Sequence, residues 1–463
     1  MFLRQMLTHF LAIAIICASL PPAAPTAYAA HVAPASPSSP AAAKPQFTLR
    51  SNMRIAAAPQ LAEFPGACTP REISGATPDT ANQVWLPLVL NGGSAAATAA
   101  STVKTAQPAL LQQPTIPLDP SLIATPLDEQ TSFAESIAFL YSGPNAVQTG
   151  VAAEAIVPEQ AAVLRGAVRA QDGQPLPGVK IQIFGHAEYG QTLSRADGAY
   201  DMVVNAAQVT VCFELPGHLP TQRMVNAAWH DFTTLADVVL LPMDDVVSTI
   251  DLANSNEIQV AQNRPTSDGD GNRQSTLLFE PNTGAQMVMA DGATKPLSAL
   301  NVRATEYTVG ANGPQAMPGD LPLASGYTYA VEFTVDEALM AGAIDVQFDK
   351  PVINYVENFL GFPAGAAVPT GYYDRGRSAW TPADNGRVIH ILSINGGVAA
   401  LDVDGSGQAA GPAQLAELGI DEAELRHWRS CTAPGKASAR PHSPLHTVGN
   451  RQLALRSARR RHA

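Results

Sequence analysis

The sequence predicts a mainly β protein, in which a β-sandwich is followed by a second β-rich domain and preceded by a long disordered linker. Three observations support this fold class. The 463 residues include 35 glycines and 38 prolines, and only 15% of the residues are charged. Short apolar or alternating segments recur between turn signals about every 8–12 residues, as in β-sandwiches. These frequent turn residues between short segments argue against a helical bundle, a coiled coil and a multi-span membrane protein. The net charge of −12 argues against nucleic acid as a partner.

Residues 1–29 have the features of a secretory signal peptide. Arg4 supplies a positive start, Leu11 to Leu20 forms a short apolar core, and Ala27-Tyr28-Ala29 is an A-x-A cleavage site. The mature chain is therefore expected to begin at Ala30 and to be secreted, either extracellular or at the cell surface. A membrane anchor is the alternative. No later stretch approaches ~20 uninterrupted apolar residues, so no membrane span is expected after cleavage.

Residues 30–130 form a low-complexity linker rich in Ala, Pro, Ser and Thr. Such a composition buries too little apolar surface to offset chain entropy, so the linker is expected to be disordered. One apolar island, 84–90, interrupts it, and Pro87 limits this island to an edge strand or a docking segment. A separate short segment, 131–161, follows and contains a predicted helix from Ser132 to Tyr141.

Residues 162–242 are predicted to form the sandwich, and their length suffices for one small core. The turn signals are Asp172-Gly173, Pro177-Gly178 and Asp197-Gly198. The clearest predicted strands are 163–168, 179–184, 200–204, 209–213 and 238–241.

Residues 243–395 are predicted to form the second β-rich domain. Its clearest strand, 327–335, alternates so that Glu332 faces away from the apolar side chains. Asp291-Gly292 predicts a hairpin, and Asp336 to Ala341 predicts one helical turn. Further predicted strands are 275–279, 286–289, 344–348 and 388–394.

Two further segments complete the chain. Residues 396–428 contain an Asp/Gly loop and a predicted helix from Ala413 to Trp428, with Gly419 as its weak point. Residues 429–463 form a basic tail without acids, which is expected to be disordered. A reading-frame shift or a truncated fragment would explain this tail, and a tail that binds an anionic surface or nucleic acid is the alternative.

The sandwich segment contains four motifs: Leu164-Arg165-Gly166-Ala167-Val168, 172–179 (DGQPLPGV), 194–200 (SRADGAY) and 215–220 (LPGHLP). Gly178 and Gly198 lack a Cβ atom and suit tight turns, and Tyr200 is expected to fill the centre of the sandwich. With these motifs the segment resembles the carboxypeptidase regulatory-like domain, which has a prealbumin/Ig-like β-sandwich grouped with carbohydrate-binding-like folds. The resemblance implies no peptidase activity, because this domain accompanies peptidases without being one.

A further set of motifs lies between Phe133 and about Trp428: 139–143, 148–151, 303–310, 355–362, 371–374, Trp380 and 385–389. With these motifs the span resembles the N-terminal region of exported bacterial Rhs/YD-repeat (teneurin-like) proteins. The resemblance implies a β-rich region that displays or anchors a repeat shell, and the shell can enclose a toxic C-terminal domain. The chain itself contains no YD repeats, so toxin activity is not implied.

A calcium loop is the one candidate metal site, with Asp402, Asp404 and Ser406 as ligands and Gly407 at the bend. The acidic closing ligand is missing, because Ala413 stands at the last position. A polar turn is therefore the alternative. The weaker Asp/Gly run at 268–272 is expected to be a hairpin tip. No other cofactor is predicted.

No catalytic residue is predicted. His186 and Glu188 lie two apart without the helical HExxH of a metallopeptidase, which favours an ordinary loop. No GxSxG, GxGxxG or GxxxxGK[ST] motif occurs.

The leading functional hypothesis is therefore a non-enzymatic secreted scaffold with the repeat shell of a larger Rhs-type protein as its partner. The alternative is a cell-envelope carbohydrate-binding module that binds a cell-surface glycan. Aromatic side chains would stack on sugars in that case, although such residues more often fill β cores. The candidate aromatics are Trp229, Tyr327, Tyr329, Tyr372, Tyr373 and Trp380.

The mature chain keeps three cysteines, Cys68, Cys212 and Cys431. An odd, sparse set is not a disulfide framework. A Cys68–Cys212 bridge would form in an oxidising compartment, but a buried free thiol at Cys212 is the favoured expectation.

Overall fold

The computed structural model describes residues 68–70, 116–253, 256–269, 271–308, 313–322, 328–431 and 439–443. The predicted signal peptide, nearly all of the linker up to residue 115, and the tail beyond 443 lie outside the described residues. What the sequence predicts for them stays a prediction. No helix in the described ranges is long and apolar enough to cross a bilayer.

The chain is mainly β, which confirms the predicted fold class. The first nine strands are β1 (Gln148–Thr149), β2 (Ala161–Ala170), β3 (Lys180–Ile183), β4 (Gln191–Leu193), β5 (Ala199–Asn205), β6 (Gln208–Glu214), β7 (Thr221–Asn226), β8 (Phe232–Thr234) and β9 (Val238–Leu240). The next nine are β10 (Ser248–Asp251), β11 (Gln259–Gln262), β12 (Thr266–Asp268), β13 (Gly271–Arg273), β14 (Ser275–Phe279), β15 (Ala285–Met289), β16 (Thr294–Leu297), β17 (Ala299–Glu306) and β18 (Val331–Val335). The last six are β19 (Ala343–Phe348), β20 (Val352–Val356), β21 (Ala367–Asp374), β22 (Ala379–Asn395), β23 (Val398–Asp402) and β24 (Ala439–Ser443).

The helices are short. They are α1 (Phe133–Ile137), α2 (Gly313–Ala316), α3 (Asp336–Ala341), α4 (Pro412–Glu417) and α5 (Glu422–Cys431). Single 3-10 turns lie at Pro120–Leu122, Ala138–Leu140, Pro158–Gln160 and Ala187–Tyr189.

The first β region is a sandwich of two sheets. One sheet has the strand order β1-β4-β3-β6-β7, and the other has the order β5-β2-β8 with β9 paired to the later part of β2. Strands β8 and β9 run parallel to β2, and the other pairs are antiparallel. Fully buried side chains from both sheets fill the space between them, among them Leu164, Ile181, Met202, Phe213 and Leu240.

Tyr200 occupies the sandwich core as expected. Its ring is 1% exposed and packs edge-on against Phe213 at 5.5 Å between centroids. Gly166 lies directly opposite on β2, and a Cβ atom there would stand 2.9 Å from the Tyr200 hydroxyl oxygen. Gly198, at the turn before β5, has φ +80°, and its Cβ would meet the Val168 carbonyl oxygen at 2.4 Å. Both glycines are therefore required by close approach, and Gly198 also by its backbone conformation.

The predicted helix from Ser132 to Tyr141 is shorter in the structure. α1 begins after Ser132, whose hydroxyl accepts the Glu135 N–H while the Glu135 carboxylate accepts the Ser132 N–H. This capping box fixes the start of the helix. After Ile137 the backbone tightens into a 3-10 turn that buries Leu140 in the sandwich core.

The second β region contains several smaller sheets. Their strand orders are β10-β17-β18, β16-β15-β19, β12-β13, and β11-β14-β20-β24-β22-β21 with β23 paired to β22. The expected hairpin at Asp291-Gly292 joins β15 to β16. The expected helical turn is α3, which ends at Gly342 with φ +83°. The predicted helix from Ala413 to Trp428 is instead two helices, α4 and α5, because the chain turns at Gly419 with φ +68°.

The sandwich has its own core, but a second buried cluster joins it to the later β region, and both regions fall within one compact unit. Leu219, Val239 and Leu241 of the sandwich belong to the same buried cluster as Leu300 and Phe333 of the second region. The predicted boundary at residue 242 therefore passes through a packed interface.

Two further features differ from what the sequence predicts. Cys68 and Cys212 form a disulfide, with 5.7 Å between their Cα atoms. The favoured expectation of a free thiol at Cys212 is therefore wrong: the segment that carries Cys68 runs beside the sandwich, where the Gly185 N–H donates to the Cys68 carbonyl oxygen at 3.3 Å. The backbone of β24 lies between β20 and β22, so five residues of the tail that was expected to be disordered are in a sheet.

Candidate functional site

The candidate calcium loop follows β23 and is held by its own hydrogen bonds. The buried Asp402 carboxylate accepts the N–H groups of Gly405 at 2.8 Å and Gly407 at 2.9 Å. Asp404 accepts the Ser406 N–H at 3.0 Å, and hydrogen bonds from Ser406 lower the pKa of the Asp404 carboxyl. Within the described ranges, no three His, Cys, Asp or Glu side chains are grouped as metal ligands. These contacts account for the loop as a polar turn, and calcium binding stays a prediction.

His186 and Glu188 form an isolated surface pair. The His186 Nδ1 atom lies 2.8 Å from Glu188 Oε1, and both side chains are nearly half exposed. This hydrogen bond lowers the pKa of Glu188. The pair lies around a single 3-10 turn, where the His186 ring stacks on Tyr189. No residue in this arrangement is positioned as a nucleophile or a metal ligand.

The aromatic residues proposed for sugar stacking do not form one exposed face. Tyr329 and Tyr373 are buried, at 0% and 3% exposure, and Trp380 is half-buried with its Nε1–H donating to the Asp320 carbonyl oxygen at 3.0 Å. Tyr372 is half-buried, and Tyr327 lies outside the described residues. Trp229 is the exposed member among those described, at 69%.

A buried ion pair lies in the second β region. Arg375 donates from Nη1 to Glu332 Oε1 at 2.9 Å and from Nη2 to Glu332 Oε2 at 3.1 Å. The Tyr307 hydroxyl donates to Glu332 Oε2 at 3.0 Å and accepts from Arg375 Nη2 at 3.1 Å. All three side chains are at most 5% exposed. Such a bidentate, fully enclosed pair holds its partners in one geometry.

The loop that carries Arg375 also holds the edge of the sandwich. The Tyr373 hydroxyl donates to Gln222 Oε1 at 2.7 Å, and Gln222 Nε2 donates to the Arg375 carbonyl oxygen at 3.2 Å. Next to Gln222 on β7, Arg223 donates to the carbonyl oxygens of Gln315 at 2.6 Å and Met317 at 2.8 Å. Strand β7 thus meets the second region through charged and polar groups as well as apolar ones. We call these contacts, together with the cluster of Arg375, Glu332 and Tyr307, the β7 interface.

Burial controls the electrostatics of the β7 interface. Burial raises the pKa of Tyr307 well above its ordinary value and that of Tyr373 to about 12, so both phenols stay neutral donors. Desolvation, the largest single effect, would lower the pKa of Arg375, but the interactions with Glu332, Tyr307 and Tyr373 together outweigh it and raise that pKa. Desolvation lowers the pKa of Arg223, and the Asp320 charge opposes this shift.

Sequence reasoning missed the β7 interface. Alternation placed Glu332 on the polar face of its strand, whereas every residue of β18 is buried. A charged residue inside an otherwise uncharged five-residue strand was the available signal, because a buried carboxylate requires a partner. The strands on either side of the Asp/Gly run at 268–272 pair as a hairpin, as expected, and residue 270 lies outside the described residues. Arg273 holds the hairpin with a double hydrogen bond to Asp268, at 2.8 and 2.7 Å.

The chain is similar to teneurins over the sandwich. Residues 156–240 match the family model described as "Teneurin TTR-like domain". Teneurin-1 of Gallus gallus is 34% identical over 96 residues, which cover 20% of this chain and 4% of that protein. Teneurin-3 of Mus musculus is 29% identical over 151 residues, which cover 32% of this chain and 6% of that protein. The chain therefore spans only a small fraction of the length of these relatives.

Solved structures give weaker similarities. The match to catechol 1,2-dioxygenase from Acinetobacter sp. ADP1 covers 20% of this chain and 57% of the enzyme's chain, at 12% identity and a TM-score of 0.17. The match to a putative carbohydrate binding protein from Bacteroides uniformis covers 42% of this chain and 97% of that protein's chain, at 10% identity and a TM-score of 0.16. Scores this low carry no argument about fold or function. The supported statement is that the sandwich is teneurin-like, which is coarser than the expected bacterial Rhs protein and carboxypeptidase regulatory-like domain.

Proposed function

We propose that this chain is a non-enzymatic exported scaffold that serves as the displaying or anchoring N-terminal region of an Rhs/YD-repeat protein. The teneurin-like sandwich supports the family side of this proposal. The β7 interface carries the functional side, because it ties the sandwich to the second region through the contacts of Gln222 with Tyr373 and Arg375. A region that displays a partner must hold its own parts in a fixed geometry, and buried bidentate contacts serve that purpose.

The proposed compartment is extracellular or at the cell surface. The signal-peptide pattern of residues 1–29 and the Cys68–Cys212 disulfide both favour it, because disulfides persist mainly in oxidising environments. The proposed partner is the repeat shell of an Rhs-type protein. We also propose that the sandwich is a carboxypeptidase regulatory-like domain and that the signal peptide is cleaved after Ala29.

A display assay tests the scaffold function. A reporter domain is fused after residue 428 of the full chain, and its surface level and trypsin resistance are measured on intact cells. We expect a surface-exposed, resistant reporter for the unchanged chain. Gln222→Ala, which removes the side-chain link to Tyr373, should lower resistance, and the exposed-site control Glu422→Gln should not. A reporter retained inside the cell would contradict the proposal.

A glycan array addresses the alternative carbohydrate-binding module. Binding that is lost in Trp229→Ala would favour a module acting through its exposed aromatic residue. Absence of such binding, together with surface display, would favour the scaffold.

A further inference from the structure

A pocket of about 390 Å³ opens on the outer face of the sheet formed by β5, β2 and β8. Its polar lining comes from the three strands, from the turn before β5, and from the 3-10 turn near residue 120. The lining residues that matter are Asp119, Ser121, Arg165, Arg195, Asp201 and Thr234. The β7 interface lies outside this pocket, whereas Arg165 and Arg195 belong to the motifs 164–168 and 194–200. Its volume is within the range of pockets that hold small molecules.

Two guanidinium groups are fixed at this pocket by one buried carboxylate. Asp201 is 5% exposed, and each of its oxygens takes a different arginine. Arg165 Nη2 lies 2.9 Å from Asp201 Oδ1, and Arg195 Nη1 lies 2.7 Å from Asp201 Oδ2. The Arg165 guanidinium also lies over the Phe232 ring, 4.1 Å from its centroid. Both arginines are thus held in place before any ligand arrives.

The two guanidinium groups and the Asp201 carboxylate sum to one positive charge, which the Asp119 carboxylate in the same lining balances. Each guanidinium carries five N–H donors, of which the pairing with Asp201 uses a part. Asp197 lies 3.9 Å from Arg195 Nε and is 68% exposed, so solvent screens its effect. The pocket therefore offers fixed cationic donors suited to a carboxylate.

Other groups in the lining are suited to hydroxyls. Asp119 accepts the Ser121 N–H through Oδ1 at 2.9 Å, which holds the carboxylate in place. Ser121 and Thr234 bring two hydroxyl groups to the set of lining residues. A ligand that carries one carboxylate and several hydroxyls would match both kinds of group.

We propose that this pocket binds a sugar acid of the hexuronate class. Its carboxylate contacts Arg165 and Arg195, and its ring hydroxyls face Asp119, Ser121 and Thr234. The inference does not depend on the scaffold function, because it concerns a small-molecule site on the sandwich alone.

Titration of the full mature chain with D-glucuronate, followed by calorimetry or NMR, tests the site. We expect glucuronate to bind at least tenfold more tightly than D-glucose, which lacks the carboxylate, and than acetate, which lacks the ring. Binding should weaken as salt rises, because it includes an ionic contact. Equal affinity for glucuronate and either comparison ligand would overturn the proposal.

Matched arginine variants locate the site. Arg165→Gln and Arg195→Gln should each weaken glucuronate binding at least tenfold. Arg169→Gln is the control, because Arg169 lies on the same face of β2 but pairs with Asp237 outside the pocket lining. It should stay within twofold of the unchanged chain. Thermal unfolding of each variant verifies that it is folded, and full binding in a folded Arg195→Gln variant would overturn the assignment.

Discussion

At the residue scale, Gly166 is fixed by a side chain on the neighbouring strand. A methyl group there would stand 2.9 Å from the Tyr200 hydroxyl oxygen, and Tyr200 cannot retreat because its ring is buried against Phe213. Gly166→Ala should therefore lower the free energy of unfolding by about 1–3 kcal/mol, the usual cost of overpacking. Urea unfolding measures it. Gly269→Ala, with nothing within 4 Å of the added Cβ, is the control, and equal stability of both variants would contradict the argument.

The Arg375–Glu332 pair supplies a second residue-scale prediction. Arg375→Met should destabilise the protein by about 3–5 kcal/mol, because it leaves the Glu332 carboxylate buried and unpaired. The double variant Arg375→Met/Glu332→Leu should recover most of that loss, because it removes both charges. Chemical denaturation measures each variant.

The control for this pair is a surface ion pair. Arg426→Gln removes a contact between two side chains that are 64% and 71% exposed, so its effect should stay below about 1 kcal/mol. A loss from Arg375→Met as small as that from Arg426→Gln would show that the buried pair contributes little.

Whether a residue's role could be predicted depends on how far away in the sequence its partner lies. Gly198 and Tyr200 were predictable because the signals for them, a turn dipeptide and an alternating strand, lie in the adjacent sequence. Glu332 was not, because its partner Arg375 lies 43 residues away and no local period encodes that distance. The Cys68–Cys212 bridge, at a sequence separation of 144, was named from the sequence but not favoured, for the same reason.

At the element scale, the attachment of α5 depends on a buried acid. Burial, with a further effect of the Glu280 charge, raises the pKa of Glu424 to about 8. A folded pKa above the ordinary value of 4.5 means that this group favours folding fully below about pH 4.5, and that the contribution is lost as pH rises through about 8. Stability should therefore fall by a few kcal/mol across that window, since one pKa unit corresponds to about 1.4 kcal/mol.

Glu424→Gln tests this dependence, because a neutral amide cannot ionise. Its stability should change less with pH between about 5 and 8 than that of the unchanged chain, as measured by thermal unfolding. Glu422→Gln on the same helix, at a position 71% exposed, should leave the pH profile unchanged. An identical profile for Glu424→Gln and the unchanged chain would refute the role of Glu424.

Elements with a strong local pattern were predictable, and those that depend on distant partners were not. The strand Ser275–Phe279 matches the predicted bounds, since a short apolar run between polar residues is a local signal. The polar strand Thr221–Asn226 gave no such signal. It exists because β6 pairs with it along its length and the second region contacts it from outside. The candidate interface was missed together with this strand.

At the scale of the whole molecule, the two β regions are expected to unfold together. The sequence suggested two independently folded units, near 162–242 and 246–395, but Leu219, Val239 and Leu241 share a buried cluster with the second region. Separating the regions would expose that cluster and break the β7 interface. Both losses oppose independent unfolding.

Ile181→Ala tests this cooperativity, because Ile181 is fully buried in the sandwich core and is not part of the shared cluster. The substitution should cost about 2–5 kcal/mol. If the regions unfold as one unit, slowly exchanging amides of β6 and of β18 should lose the same protection free energy in native-state hydrogen exchange. Loss confined to β6, with β18 unchanged, would instead establish two independent units. The prediction rests on the shared core being large enough that the second region cannot keep its fold once the sandwich has opened.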